Sequence, residues 1–238
     1  MKTIIAGNWK MHKTVKEAVN FLKKLNKIMD KPSNVEIIIC PSYTCLSDAV
    51  KESGEVDIGA QNIHFEKEGA FTGEISADML KETGIKYVII GHSERRQYYN
   101  ETDETVNLKI KTALANNIKP IVCVGERLEQ RKSNKTKEII SKQIKKGLEG
   151  IDVNKLIIAY EPCWAIGSGL TATKEQAEEV HSLIRSLINS DKVPILYGGS
   201  VKPENSKDLL SQPNINGALI GGASLNPTKF NQIIENAR

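Results

Sequence analysis

Eight short stretches of nearly uninterrupted apolar residues, most of them followed by a segment with helical spacing, limit what this chain can become. They are Thr3–Asn8, Val35–Cys40, Val56–Ala60, Tyr87–Gly91, Pro120–Gly125, Leu156–Ala159, Pro194–Tyr197 and Ala218–Ile220. A strand with one wet face alternates apolar and polar residues, whereas a run without alternation is buried on both faces, as in a parallel sheet covered by helices. Between the runs, Ala18, Phe21, Leu22, Leu25, Ile28 and Met29 recur with the period of a helix. Capping boxes at Thr14–Glu17 and Thr173–Gln176 mark helix starts, as do Pro203 and Asn226-Pro227. Further helices are expected over Ser76–Thr83, Thr102–Asn116, Lys135–Leu148 and Gln176–Asn189. No Ser/Pro-rich linker interrupts the series, so the chain reads as one domain over residues 1–238. The α/β class follows, and eight even units favour closure into a (β/α)8 barrel over a doubly wound open sheet.

Charge argues against nucleic acid and membrane surfaces as partners. The formal net charge of +4 arises from 33 basic and 29 acidic residues mixed along the chain, which mildly suits a small anionic ligand. The N-terminal apolar run is too short for a secretory signal, and no stretch approaches the roughly 18 apolar residues of a membrane span. Cys40, Cys45, Cys123 and Cys163 form no CxxC pair and no disulfide framework. A reduced, cytoplasmic protein is expected. His12, His64, His92 and His181 are scattered and belong to no metal-binding pattern, so neither a metal nor another cofactor is expected.

In a closed parallel barrel the active site forms where the strands end. The polar residues at those ends are Asn8, Lys10, His92, Ser93, Glu126, Glu161 and Ser200, together with the Gly221-Gly222 pair. Each has a structural explanation when taken alone: a solvated lysine, a hydrogen-bonded histidine, a turn. Their convergence on one rim is what points to chemistry. Glycines after the seventh and eighth runs expose backbone N–H groups to an anion such as phosphate. Glu161 ends the sixth run. It is followed by Pro162-Cys163-Trp164-Ala165-Ile166-Gly167-Ser168-Gly169-Leu170-Thr171-Ala172-Thr173, small and glycine-bearing between firm ends. A carboxylate with a lid behind it is what proton transfer away from water requires. Gly167 to Ala172 also fits a dinucleotide-binding pattern, but Glu161 to Ile166 separate it from the strand it should follow directly.

Several motifs, in order along almost the whole chain, closely resemble the triosephosphate isomerases. They are Ala6 to Met11, Gly59 to Asn62, Gly69 to Ser76, Ile90 to Arg96, Tyr160 to Thr173, Tyr197 to Val201 and Gly217 to Ser224. The resemblance implies a cofactor-independent exchange of D-glyceraldehyde 3-phosphate and dihydroxyacetone phosphate in glycolysis and gluconeogenesis. On it, Glu161 is the base, and His92 is a neutral hydrogen-bond donor whose pKa a helix start would lower. Lys10 is an electrostatic stabiliser and Asn8 a substrate contact. The same resemblance gives phosphate to Gly167, Ser200, Gly221 and Gly222, makes Glu94 and Ser93 supporting residues, and makes residues Pro162 to Thr173 the lid. Gln61 to Gly73 would be a dimer loop carrying Thr72 into the partner's site. In the lid, Cys163 and Leu170 replace the family's more usual valine and lysine, and Ser168 its threonine. Cys163 at the hinge makes sensitivity to thiol oxidation a further expectation. A sugar-phosphate epimerase, recognised by a metal requirement, and a catalytically silent scaffold barrel are the alternatives.

Overall fold

The computed structural model describes residues 1–30, 32–165 and 172–238. The strands are β1 (Thr3–Asn8), β2 (Val35–Cys40), β3 (Asp57–Ala60), β4 (Tyr87–Ile90), β5 (Lys119–Val124), β6 (Ile157–Tyr160), β7 (Ile195–Tyr197) and β8 (Gly217–Ile220). Each pairs in parallel with the next, and β8 returns to β1, which closes the barrel in sequence order.

Two separate cores explain why the runs do not alternate. Ile4, Ala6, Ile38, Ile89, Ile121, Ile157, Ala159, Leu196 and Leu219 point inward and fill the barrel. Their neighbours Ile5, Ile37, Ile39, Val88, Ile90, Val122, Ile158 and Ile195 belong to the outer core beneath the helices. Both faces of every strand are therefore dry, and both must be apolar. Closure also needs Gly217. Its φ of +150° is open to glycine, and a Cβ there would overlap the main-chain oxygen of Ile4.

The helices that cover the barrel are α1 (Val15–Ile28), α2 (Leu46–Lys51), α3 (Ala77–Glu82), α4 (Ser93–Tyr98) and α5 (Asp103–Ala115). After β5 come α6 (Leu128–Lys132), α7 (Thr136–Gly147), α8 (Lys174–Ile188), α9 (Pro203–Leu210) and α10 (Pro227–Asn236). The two expected capping boxes are present, with Thr14 accepting from the Glu17 N–H and Thr173 from that of Gln176. The helix start expected beside His92 is that of α4. Its N-cap is His92, whose imidazole takes the place of the usual hydroxyl or carboxylate by accepting the Glu94 N–H. No helix among the described residues is long and apolar enough to cross a membrane.

One core histidine makes stability pH-dependent. His181 on α8 is fully buried against Tyr160 and Tyr197, and its Nδ1 lies 2.7 Å from the Ala177 carbonyl. Burial pulls its pKa down to about 4, against partial support from the Ala177 and Leu196 carbonyls. The neutral form is the folded form, so this contribution is complete above the unfolded value near 6.5 and is lost as pH falls toward 4. That gap corresponds to roughly 3 kcal/mol. Urea unfolding of wild type and His181→Gln should show the wild type losing more stability than the variant between pH 7 and 4. Parallel losses would mean that His181 is not the titrating group.

Candidate active site

The carboxyl ends of β1, β4, β6, β7 and β8 surround a cavity of about 830 Å³ lined by Asn8, Lys10, His92, Glu161, Ser200, Gly221 and Gly222, among others. All of these were singled out in the sequence. Gly167 lies outside the described residues, as do Ile166, Ser168, Gly169, Leu170 and Thr171 of the lid.

Glu161 is 2% exposed and follows β6 directly. Its main-chain N–H donates to the Val124 carbonyl at 2.7 Å, which extends the pairing of β6 with β5 by one residue. The carboxylate accepts two hydrogen bonds. The Ser93 N–H reaches Oε2 at 2.9 Å, and Nε2 of His92 lies 2.8 Å from Oε1. Burial alone would raise its pKa, but the His92 ring, the Ser93 N–H and the Lys10 ammonium outweigh burial and hold the carboxyl below its ordinary value. A buried carboxylate that stays ionised at neutral pH is a base available for use.

The tautomer of His92 follows from its surroundings. The Glu94 N–H, 3.2 Å from Nδ1, needs a lone pair there, so the ring proton belongs on Nε2, facing Glu161. The expected lowering of its pKa is not what this arrangement gives. Burial does lower it, but the Glu161 carboxylate against Nε2 more than offsets that, and the net direction is upward. Glu161 supplies the largest upward pull, and the Glu94 carboxylate, 3.5 Å from Nδ1, adds to it. When Glu161 turns away, burial, the Lys10 ammonium and the Glu94 N–H favour the neutral ring against the Glu94 carboxylate alone.

Lys10 occupies the left-handed region with φ of 53°, which costs a non-glycine residue free energy. Two side chains hold it there: Asn8 Oδ1 accepts the Lys10 N–H at 3.0 Å, and Gln61 Nε2 donates to the Lys10 carbonyl at 2.8 Å. Its ammonium bonds Oε1 of Glu94 at 2.7 Å, the carboxylate that the resemblance sets beside it.

Beside Cys163 and Trp164, Glu126 is fully buried, and Oε1 accepts from Tyr160 Oη, Trp164 Nε1 and Arg131 Nη1 at 3.0–3.3 Å. Cys163 donates its N–H to the Glu126 carbonyl. Burial pushes the Cys163 thiol up to about 12, with the Glu161 and Glu126 carboxylates adding to the effect. A raised thiol pKa works against thiolate formation, and so against the expected sensitivity to oxidation. Among the described residues no group of three or more His, Cys, Asp or Glu side chains is placed to hold a metal ion.

Comparison with known proteins agrees with this geometry. The family model described as triosephosphate isomerase matches residues 3–237. Curated triosephosphate isomerases from Endomicrobium trichonymphae and Fusobacterium nucleatum subsp. nucleatum are each 51% identical to the chain, covering 98% of it and 98% of their own length. One from Clostridium botulinum (strain Langeland) is 52% identical over 97% of this chain and 98% of its own. The chain belongs to the triosephosphate isomerase family.

Proposed function

We propose that this chain, acting as one catalytic domain over residues 1–238, interconverts D-glyceraldehyde 3-phosphate and dihydroxyacetone phosphate without a cofactor. The observation that carries the assignment of roles is the meeting of Glu161, His92 and Lys10 at one cavity whose far rim is Ser200, Gly221 and Gly222. Glu161 removes a proton from the carbon beside the carbonyl. The C–H electron pair becomes the C=C bond of an enediolate, and negative charge moves to the carbonyl oxygen. Nε2–H of His92 and the Lys10 ammonium stabilise that oxygen, and Asn8 orients the substrate. The hydroxyl proton of the neighbouring carbon passes to that oxygen, and Glu161 then returns its own proton to the former carbonyl carbon, which leaves the carbonyl on the neighbour. Backbone N–H groups at Ser200, Gly221 and Gly222, joined by Gly167 of the lid, hold the phosphate. The lid keeps out water and prevents loss of phosphate from the enediolate. Because Glu161 hydrogen-bonds His92 in this arrangement, substrate oxygen must replace carboxylate at Nε2 before proton transfer begins.

The protein is proposed to work in the cytoplasm as a homodimer. Residues 66–73 are exposed, Thr72 among them, and Thr72 lines neither the large cavity nor the smaller one beside it. Met11 is 95% and Phe71 43% exposed, apolar surface of the kind that association covers. The smaller cavity, about 170 Å³ beside Lys10 and Glu94, is where a partner's Thr72 would enter.

A dehydrogenase-coupled assay without added metal tests the reaction, with fast turnover of glyceraldehyde 3-phosphate expected. Lys10→Met should lower kcat/KM about a hundredfold, the scale of losing one preorganised group at the developing oxyanion. A silent wild type would return the scaffold reading. Turnover only with added metal would return the epimerase.

A further inference from the structure

The end of β5 depends on a residue that needs an outside anchor. Gly125 lies one position past Val124, where the register with β6 ends opposite Tyr160. A Cβ on Gly125 would overlap the main-chain oxygen of Glu161, so this position admits no side chain. The residue packed directly against the Glu161 main chain thus has no side chain of its own to pack, and glycine has the most backbone freedom to lose.

A side chain on α7 supplies the anchor. The Gln143 amide oxygen accepts the Gly125 N–H at 2.8 Å, and its amide nitrogen donates to the Gly125 carbonyl at 3.0 Å. One side chain thus takes both polar groups of one peptide residue, as a neighbouring strand would. On either side of that clamp, the Glu161 N–H donates to the Val124 carbonyl at 2.7 Å and the Cys163 N–H to the Glu126 carbonyl at 3.1 Å. Residues 124–126 therefore form a shelf under residues 161–163. Gln143 fixes the middle of the shelf, yet it does not line the cavity.

We propose that Gln143 is a positioning residue for the catalytic base: by clamping Gly125 from α7 it sets the place of the Glu161 backbone, and through it the carboxylate. This inference rests on Glu161 being the base. A displacement near 1 Å at a reacting group costs up to about a hundredfold in rate. The phosphate rim on β7 and β8 takes no part in the clamp, so the effect should fall on kcat and spare binding.

The test is Gln143→Met, which keeps length and loses both hydrogen bonds, with Glu161→Gln run beside it. For Gln143→Met, kcat should fall about ten- to a hundredfold. KM, and the inhibition constant of inorganic phosphate as a competitor, should stay within about twofold. The acid limb of its kcat/KM profile should move to higher pH, because a loosened Glu161 loses its fixed contacts with His92 and Ser93. Gln143→Glu retains the acceptor for the Gly125 N–H and lacks the donor; it should lie between wild type and Gln143→Met, and it decides the matter alone if the methionine variant does not fold. A folded variant with wild-type kcat and pH profile would overturn the inference, as would a fall in kcat matched by equal losses in KM and phosphate binding. If Glu161→Gln is inactive while both Gln143 variants are unaffected, the clamp fails and the base assignment stands. Wild-type turnover by Glu161→Gln would remove both.

Discussion

Exchanging Glu161 for glutamine is expected to lower kcat by about three orders of magnitude, some 4 kcal/mol of transition-state stabilisation. The amide has the shape of the carboxylate but cannot hold the proton that must leave one carbon and arrive at the next. It also does not fit the site it inherits. Both carboxylate oxygens now accept, one from the Ser93 N–H and one from Nε2–H of His92. The ring cannot reverse its role, because the Glu94 N–H occupies Nδ1. An amide at position 161 would turn one NH2 edge toward a donor and leave that pair unsatisfied, at a cost of about 1–3 kcal/mol. The proposed phosphate rim at Ser200, Gly221 and Gly222 is untouched, so KM should change little. Two measurements check this: kcat in the coupled assay, and exchange of the substrate's carbon-bound hydrogen in deuterated solvent, which should vanish with turnover. A variant within tenfold of wild type in both would place the base elsewhere.

The barrel was legible in the sequence because burial on both strand faces removes alternation, and few folds ask for that eight times. The rim was legible because strand ends can be counted, and Asn8, Lys10, His92, Glu161, Ser200 and Gly221-Gly222 fall on them. What escaped is long-range and directional. Gln61 and Gln143 act by reaching main-chain atoms of Lys10 and Gly125, contacts that leave no periodic trace. The upward pull on His92 depends on where one carboxylate comes to rest, which neither residue's own neighbourhood in the chain reveals. Long-range bonds of this kind fix the orientation of residues that the pattern of strands had already brought to the rim.

Away from the rim, Lys109→Met is expected to be strongly destabilising. Lys109 on α5 is 5% exposed, and its ammonium bonds Glu101 and the Asn62 side chain, the latter at 2.8 Å. Glu101 is 8% exposed and also accepts the Gly91 N–H at 3.1 Å, with the Arg95 guanidinium 3.5 Å away. Removing the lysine strips the buried carboxylate of its closest charge partner, a loss of about 3–5 kcal/mol. Arg95 is too distant to replace a direct hydrogen bond, and its side chain is already 26% exposed. Removing the carboxylate's charge as well should restore part of the loss, since the amide introduced by Glu101→Gln would still accept the Gly91 N–H. The Glu101→Gln, Lys109→Met double variant is therefore expected to be more stable than Lys109→Met alone. Urea unfolding of wild type, both single variants and the double variant at one fixed concentration gives the coupling. A Lys109→Met protein within about 1 kcal/mol of wild type would mean that Arg95 or solvent reaches Glu101 after all. The consequence extends to catalysis, because Gly91 immediately precedes His92: a slack Glu101 frees the Gly91 N–H, and Arg96, bonded to the Gly91 carbonyl at 2.8 Å, is left to hold the end of β4.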